Sequence, residues 1–264
     1  MFGQVYNSDN RKFCLHITIK SPEKKRLRIW AEEYGKRNSK YADREITVEG
    51  TRTIFFSFPV TPKQLFIGAL NTENLKGEGF EVSIIESPLI DYNIWVDDLT
   101  NDFLNFSVKF SQMSGFSEAS DNGVLFTTPD SQFKIKYYNI ITDVASGAAL
   151  STPSRIGHST GKIDVAKFRF DPFTIPMREM ILLHEYSHKY RNPKINLEIS
   201  NEVGADINAL YYFLGKGFSK VDAICVFANV FLKAQTPKNI ERMRKIIDYI
   251  TRFENEEFAE KRIN

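Results

Sequence analysis

A chain of 264 residues, 42% apolar and 26% charged, is long enough to bury a full core and has the composition of a soluble globular protein of one large domain or two modest ones. Its formal net charge is +2 and its basic runs, such as Lys24 to Arg28, are short, so neither nucleic acid nor an anionic membrane is expected as a direct partner. No run approaches the roughly 18 apolar residues of a membrane span, and "MFGQVYNSDNRKF" lacks the basic and apolar segments of an export signal; a soluble, unexported chain is expected.

The first ninety residues alternate as strands do. Phe13, Leu15, Ile17 and Ile19 share one face of "KFCLHITIK", and short runs of the same kind recur in "RLRIW", "REITVEGTRTIFFSF", "QLFIGAL" and "FEVSII". Turn-formers lie between them: Ser21-Pro22, Glu49-Gly50, Pro59 and Gly77 to Gly79. The spacing predicts a small β-sandwich over residues 1–90, a binding or assembly module with no catalytic constellation. His16, alone within an alternating strand, reads as structural. Cys14 and Cys225 lie far apart in apolar stretches and read as buried free thiols.

After Trp95 the pattern changes. Leu99, Phe103, Phe106, Phe110 and Met113 step by four and three, the stripe of an amphipathic helix that starts near Asp97-Asp98. Strand-like pieces follow in "GVLFTT", "QFKIKYYNII", "SRIGH" and "GKIDVAKFRF". Then come four helices. Pro176 suits the first turn of one that stops at Asn192-Pro193; a second runs from about Asn201 to Leu214; Ser219 with Asp222 opens a third, and Thr236 before Pro237 a fourth. The expected class is α+β: the sandwich, then a domain over residues 91–264 of helix, mixed twisted sheet and C-terminal helices.

The stretch "MILLHEYSHKY" carries the chemistry. His184 and His188 are four residues apart, so on a helix both imidazoles can turn toward one ion. Glu185 lies about 100° round from His184, within reach of a water at that ion without entering its ligand set. A catalytic zinc ion takes three protein ligands and keeps one position open. Downstream, "NEVGAD" puts Glu202 and Asp206 on one face of the next helix: Glu202 can complete a His₂Glu set, while Asp206 accepts a hydrogen bond from a ligand histidine and fixes its tautomer.

"HEYSH" followed by "NEVGAD" resembles the gluzincin metallopeptidases, the thermolysin-like branch of the zincins, over roughly residues 92–264. The resemblance implies a compact zincin-like domain in which His184, His188 and Glu202 hold Zn²⁺, Glu185 is the general base and Asp206 the acceptor behind a ligand histidine. It also implies that the last strand before the active-site helix, Gly161 to Phe168, walls the substrate cleft. The chain departs from that pattern in two respects: only thirteen residues separate His188 from Glu202, and no downstream histidine is present to serve as transition-state donor. Tyr211, Tyr212, Arg155 and His158 are the candidates for that role.

Over its whole length, through "TPSRIGH", "GKIDVAKFRFDPFTIPMREMILLHEYSH" and "ADINALYYFL", the chain is also similar to metallopeptidase-like proteins of crAss-like tailed phages. That resemblance implies a virion or connector component in many copies. Two expectations follow: a zinc-dependent peptidase or amide hydrolase acting on a protein or peptide, or an assembly component that keeps the fold with little turnover. The expected location is the cytoplasm, or the virion for a phage-encoded chain, with the protein part of an oligomeric assembly.

Overall fold

The computed structural model describes residues 1–73, 79–90, 92–143, 145–195, 201–232, 234–254 and 260–261. The chain divides into two compact units, Met1–Ile90 with Gly217–Ser219, and Asp91–Lys216 with Lys220–Asn264. The architecture is mixed α+β. Among the described residues no helix is long and apolar enough to cross a membrane.

The first unit is one five-stranded antiparallel sheet of β1 (Phe2–Asn7), β2 (Phe13–Glu33), β3 (Lys40–Phe58), β4 (Gln64–Asn71) and β5 (Glu81–Ser87), in the order β1-β4-β2-β3 with β5 also on β2. The separate short strands and turns expected from the sequence are replaced by two long strands. Ser21 and Gly50 face each other across the β2–β3 ladder, and the register shifts between Ser21 and Lys25. Pro22 therefore sits in a bulge, where no ladder hydrogen bond is lost, and Gly50 accommodates the kink with a φ of 73°.

The kink folds the sheet over. At about 3.3 Å per residue, a straight strand would hold Tyr41 and Phe58 more than about 50 Å apart. Their ring centroids are 6.5 Å apart. One continuous sheet thus supplies two facing layers, with Phe13, Leu15, Ile17, Ile19, Leu27 and Ile29 of β2 buried between them. His16 is structural: its Nε2 is 2.7 Å from Ser87 Oγ and its ring packs edge-on against Phe55. Cys14 and Cys225 are free thiols but half-exposed, not buried as expected.

The second unit opens with α1 (Asp98–Ser114), whose first turn is capped by Asp97 accepting from Thr100 N at 2.7 Å. A four-stranded sheet follows, β7 (Val124–Thr127), β8 (Lys134–Tyr138), β9 (Ser154–Ile156) and β10 (Ile163–Ala166), in the order β7-β8-β10-β9 with only β8 and β10 parallel. The short α2 (Lys167–Phe170) leads into α3 (Ile175–Ser187), then α4 (Asn201–Gly215), α5 (Lys220–Val226), a π-helical turn at Phe227–Phe231 and α6 (Pro237–Glu254). The strand β6 (Tyr92–Asn93) precedes α1.

All thirteen residues of α3 are buried, its polar side chains Arg178, Glu179, His184, Glu185 and Ser187 included. Two buried polar side chains in its first half, Arg178 and Glu179, dictate the face α1 turns inward. Arg178 donates to Ser111 O and Ser114 Oγ, and Glu179 accepts from Ser107 Oγ at 2.7 Å and Ser111 Oγ at 3.3 Å. The buried face of α1 is therefore Thr100, Phe103, Leu104, Ser107, Phe110, Ser111 and Ser114, half of it hydroxylic. Of the stripe expected from the sequence only Phe103 and Phe110 are buried; Leu99, Phe106 and Met113 are half-exposed, because Arg178 and Glu179 left without partners inside would cost more than a half-wetted Phe106.

Candidate metal centre

α3 carries His184 within its last turn and His188 at its C-cap, where the backbone is still helical, so the i and i+4 imidazoles project from one face. Their Nε2 atoms are 3.1 Å apart. The first turn of α4 brings up Glu202, with Oε2 3.8 Å from His184 Nε2 and Oε1 3.8 Å from His188 Nε2. Among the described residues these three form the one cluster of potential ligands, their atoms all within 4.8 Å of one another. The short connection positions α4 firmly: Asn208 on α4 accepts from Asn192 N at 2.8 Å and donates to Ser187 Oγ at 2.8 Å, tying the second helix to the end of the first.

The donor set fits a divalent transition metal. Tetrahedral ligands at about 2.0–2.1 Å from an ion are about 3.3–3.4 Å from each other, and the observed 3.1 and 3.8 Å bracket that edge. Neutral imidazole is the ligating form. His188 is held neutral, its pKa pushed down to about 4 by burial and then by the charge of His184. Two imidazoles and a carboxylate are a borderline donor set, suited to zinc among other ions.

Asp206, one turn beyond Glu202, is fully buried with Oδ1 2.9 Å from His184 Nδ1. Burial alone would lower the His184 pKa, but the Asp206 carboxylate overrides it and leaves it raised. Asp206 itself stays below the usual carboxylate range: burial pushes it up, and Arg242 followed by His184 more than reverses that. Arg242 Nε and Nη2 both donate to Asp206, the latter at 2.7 Å, and Nη1 is 3.2 Å from Glu202 Oε2.

Glu185 is 7% exposed and its pKa is raised by burial, less what His184, the Ser154 hydroxyl and the Ile156 backbone N–H restore. Ser154 Oγ donates to its Oε1 at 2.9 Å. His184, Glu185, His188, Glu202 and Arg242 all line one cleft of about 730 Å³, closed elsewhere by Ser151 to Pro153, Phe168, Phe173 and Phe231. The Phe231 ring lies 4.2 Å from that of His184, tilted by 33°.

Of the wall expected from Gly161 to Phe168, Phe168 lines the cleft while the strand itself stands back from it. β10 lies between β8 and β9 with all four residues buried, and the sheet edge beside Glu185 is β9, whose Ser154 reaches the carboxylate. A strand buried on both faces carries a near-continuous apolar run, and the exception in "IDVA", Asp164, is paired with Arg155 and Lys162. None of the four donor candidates lines the cleft. Tyr211 OH accepts from Trp95 N at 2.8 Å, Tyr212 is buried beside it, and Arg155 is paired with Asp164 at 3.3 Å. The His158 ring lies 6.1 Å from that of His188.

Two contributors were missed. Arg242 stood in view as a basic residue on the buried stripe of α6, four before Ile246 and in line with Ile250 and Phe253. Phe231 carried no such signal, because a π-helical turn breaks the 3.6-residue period that would have placed it.

No protein-family model matches the chain, and no curated protein matches it. Among solved structures it is similar to one described as "a functionally unknown conserved protein mutant from Bacillus anthracis str. Ames", at 10% identity and a TM-score of 0.27. The match covers 97% of this chain and 64% of that one, so the chain spans less than two thirds of its length.

Proposed function

We propose that the chain is a zinc-dependent hydrolase of peptide or other amide bonds, of the gluzincin type its motifs resemble. One observation carries the reading: two imidazole nitrogens and a carboxylate converge at the floor of an open cleft with the buried, raised-pKa carboxyl of Glu185 beside them. His184, His188 and Glu202 would hold the ion, which supplies a lowered pKa for water and polarisation of the scissile carbonyl. Glu185 takes the proton of the attacking water and passes it to the leaving amine; a pKa above the ordinary carboxylate value brings that exchange closer to neutral pH. Ser154 holds Glu185 on the cleft side, and Asp206 orients the His184 ring.

The test is cleavage of a broad peptide library read by mass spectrometry. Glu185→Gln keeps the size of the side chain but cannot accept a proton, so turnover should fall by about 10² to 10⁴ with zinc content unchanged. A variant that stays fully active sinks the mechanism.

An assembly role is favoured by a separate observation. Phe55 and Ile85 flank His16 across three strands on the outer face of the first unit, 59% and 64% exposed. Light scattering decides it: a ring of many copies with no turnover would replace the hydrolase reading.

A further inference from the structure

Arg242 reaches the candidate centre from α6. Three of its nitrogens are engaged: Nε and Nη2 on Asp206, and Nη1 on Glu202 at 3.2 Å. The residue is 8% exposed, and Asp206 is fully buried. The planar fork therefore spans two carboxylates one helical turn apart on α4, one a candidate ligand and the other the partner of His184 Nδ1. We infer that Arg242 is a positioning residue for the metal: it fixes the carboxylate of Glu202 directly and the ring of His184 through Asp206, and so sets how tightly the ion is held. This inference rests on the metal reading above.

Two effects of a guanidinium here oppose each other. Its positive charge repels a cation, while its hydrogen bonds hold two of the groups that bind it. Orientation wins because the charge is already matched by the buried Asp206 carboxylate, leaving little net field at the centre, whereas among the described residues that carboxylate is otherwise held by His184 alone. Lys cannot substitute, since a single ammonium cannot bridge both carboxylates in the plane of the fork. The arrangement also ties α6 to the centre: removing Arg242 frees Glu202, which is 44% exposed at its side chain, to swing toward solvent.

The experiment is zinc affinity by chelator competition at fixed pH, in the wild type, Arg242→Met and Arg242→Lys, with the thermal midpoint of each zinc-stripped protein measured alongside. Loss of outer contacts of this kind weakens metal affinity by about 10- to 100-fold, and both variants are expected in that range. Affinity equal to or tighter than wild type in Arg242→Met overturns the inference, even where its midpoint has dropped, because that pattern marks a merely structural arginine. Should Arg242→Met not fold, the pair Asp206→Asn with Arg242→Met removes both buried charges together; it should bind zinc at least about 10-fold more weakly than wild type, and wild-type affinity in the pair overturns the inference equally. A wild type that takes up no zinc sinks the metal reading itself and is distinguishable from either result.

Discussion

Nδ1 of His184 lies 2.9 Å from Oδ1 of Asp206, at the end of a chain of contacts that runs from α6 through Arg242 into α3. The carboxylate overcomes burial and raises the His184 pKa above its ordinary 6.5, so a proton competes with metal for this ring up to a higher pH than at an ordinary imidazole. Zinc uptake near pH 6.5 should therefore release protons, and affinity should fall as pH falls. Calorimetry in buffers of different ionisation enthalpy measures the release. Asp206→Asn should reduce it by moving the His184 pKa down; proton release unchanged by that variant would contradict the role given to Asp206.

Glu179 gives a pH dependence of opposite origin. Burial pushes its carboxyl up from 4.5 to about 8, against the hydroxyls of Ser107 and Ser111, which pull it down. Between those two values the folded chain holds a proton that the unfolded chain releases, so this group's contribution to stability falls as pH rises through that window. Glu179→Gln stays neutral and keeps an acceptor for a serine. Its stability relative to wild type, measured by denaturant unfolding, should increase steadily from pH 5 to pH 8 or so. A difference independent of pH would show that Glu179 is not protonated in the fold.

The inward face of α1 is testable by packing. Phe103 is 1% exposed and stacks on Tyr186 at 4.1 Å, so Phe103→Ala should cost about 3–5 kcal/mol. Phe106 is half-exposed beside a second groove of about 590 Å³, and Phe106→Ala should cost about 1 kcal/mol. Thermal melts of the two variants separate them. Equal losses would restore the stripe through Leu99, Phe106 and Met113 as the buried one.

Local chemistry was legible in the sequence wherever a residue acts through its own spacing. His184 and His188 follow from the i,i+4 rule, and Glu202 with Asp206 from the same rule on the next helix; all four meet in the structure. The α1 start at Asp97 was legible because capping is a local event. What escaped depends on partners distant in sequence. Pro22 looks like a turn until Gly50 is seen opposite its neighbour Ser21, and serines 107 and 111 look like a polar face until Glu179 is placed against them, 72 and 68 residues away. Arg242 belongs to the same class: its stripe was readable, but Asp206 as its partner was not.

The central claim is that His184, His188 and Glu202 together bind zinc. Elemental analysis of the purified wild type and of Glu202→Ala tests it most directly. The wild type should carry about one zinc per chain, as purified or after addition of zinc at neutral pH, and Glu202→Ala should lose most of it on dialysis while staying folded. A wild type with no zinc that takes none up, or a Glu202→Ala variant that retains it in full, would contradict the assignment.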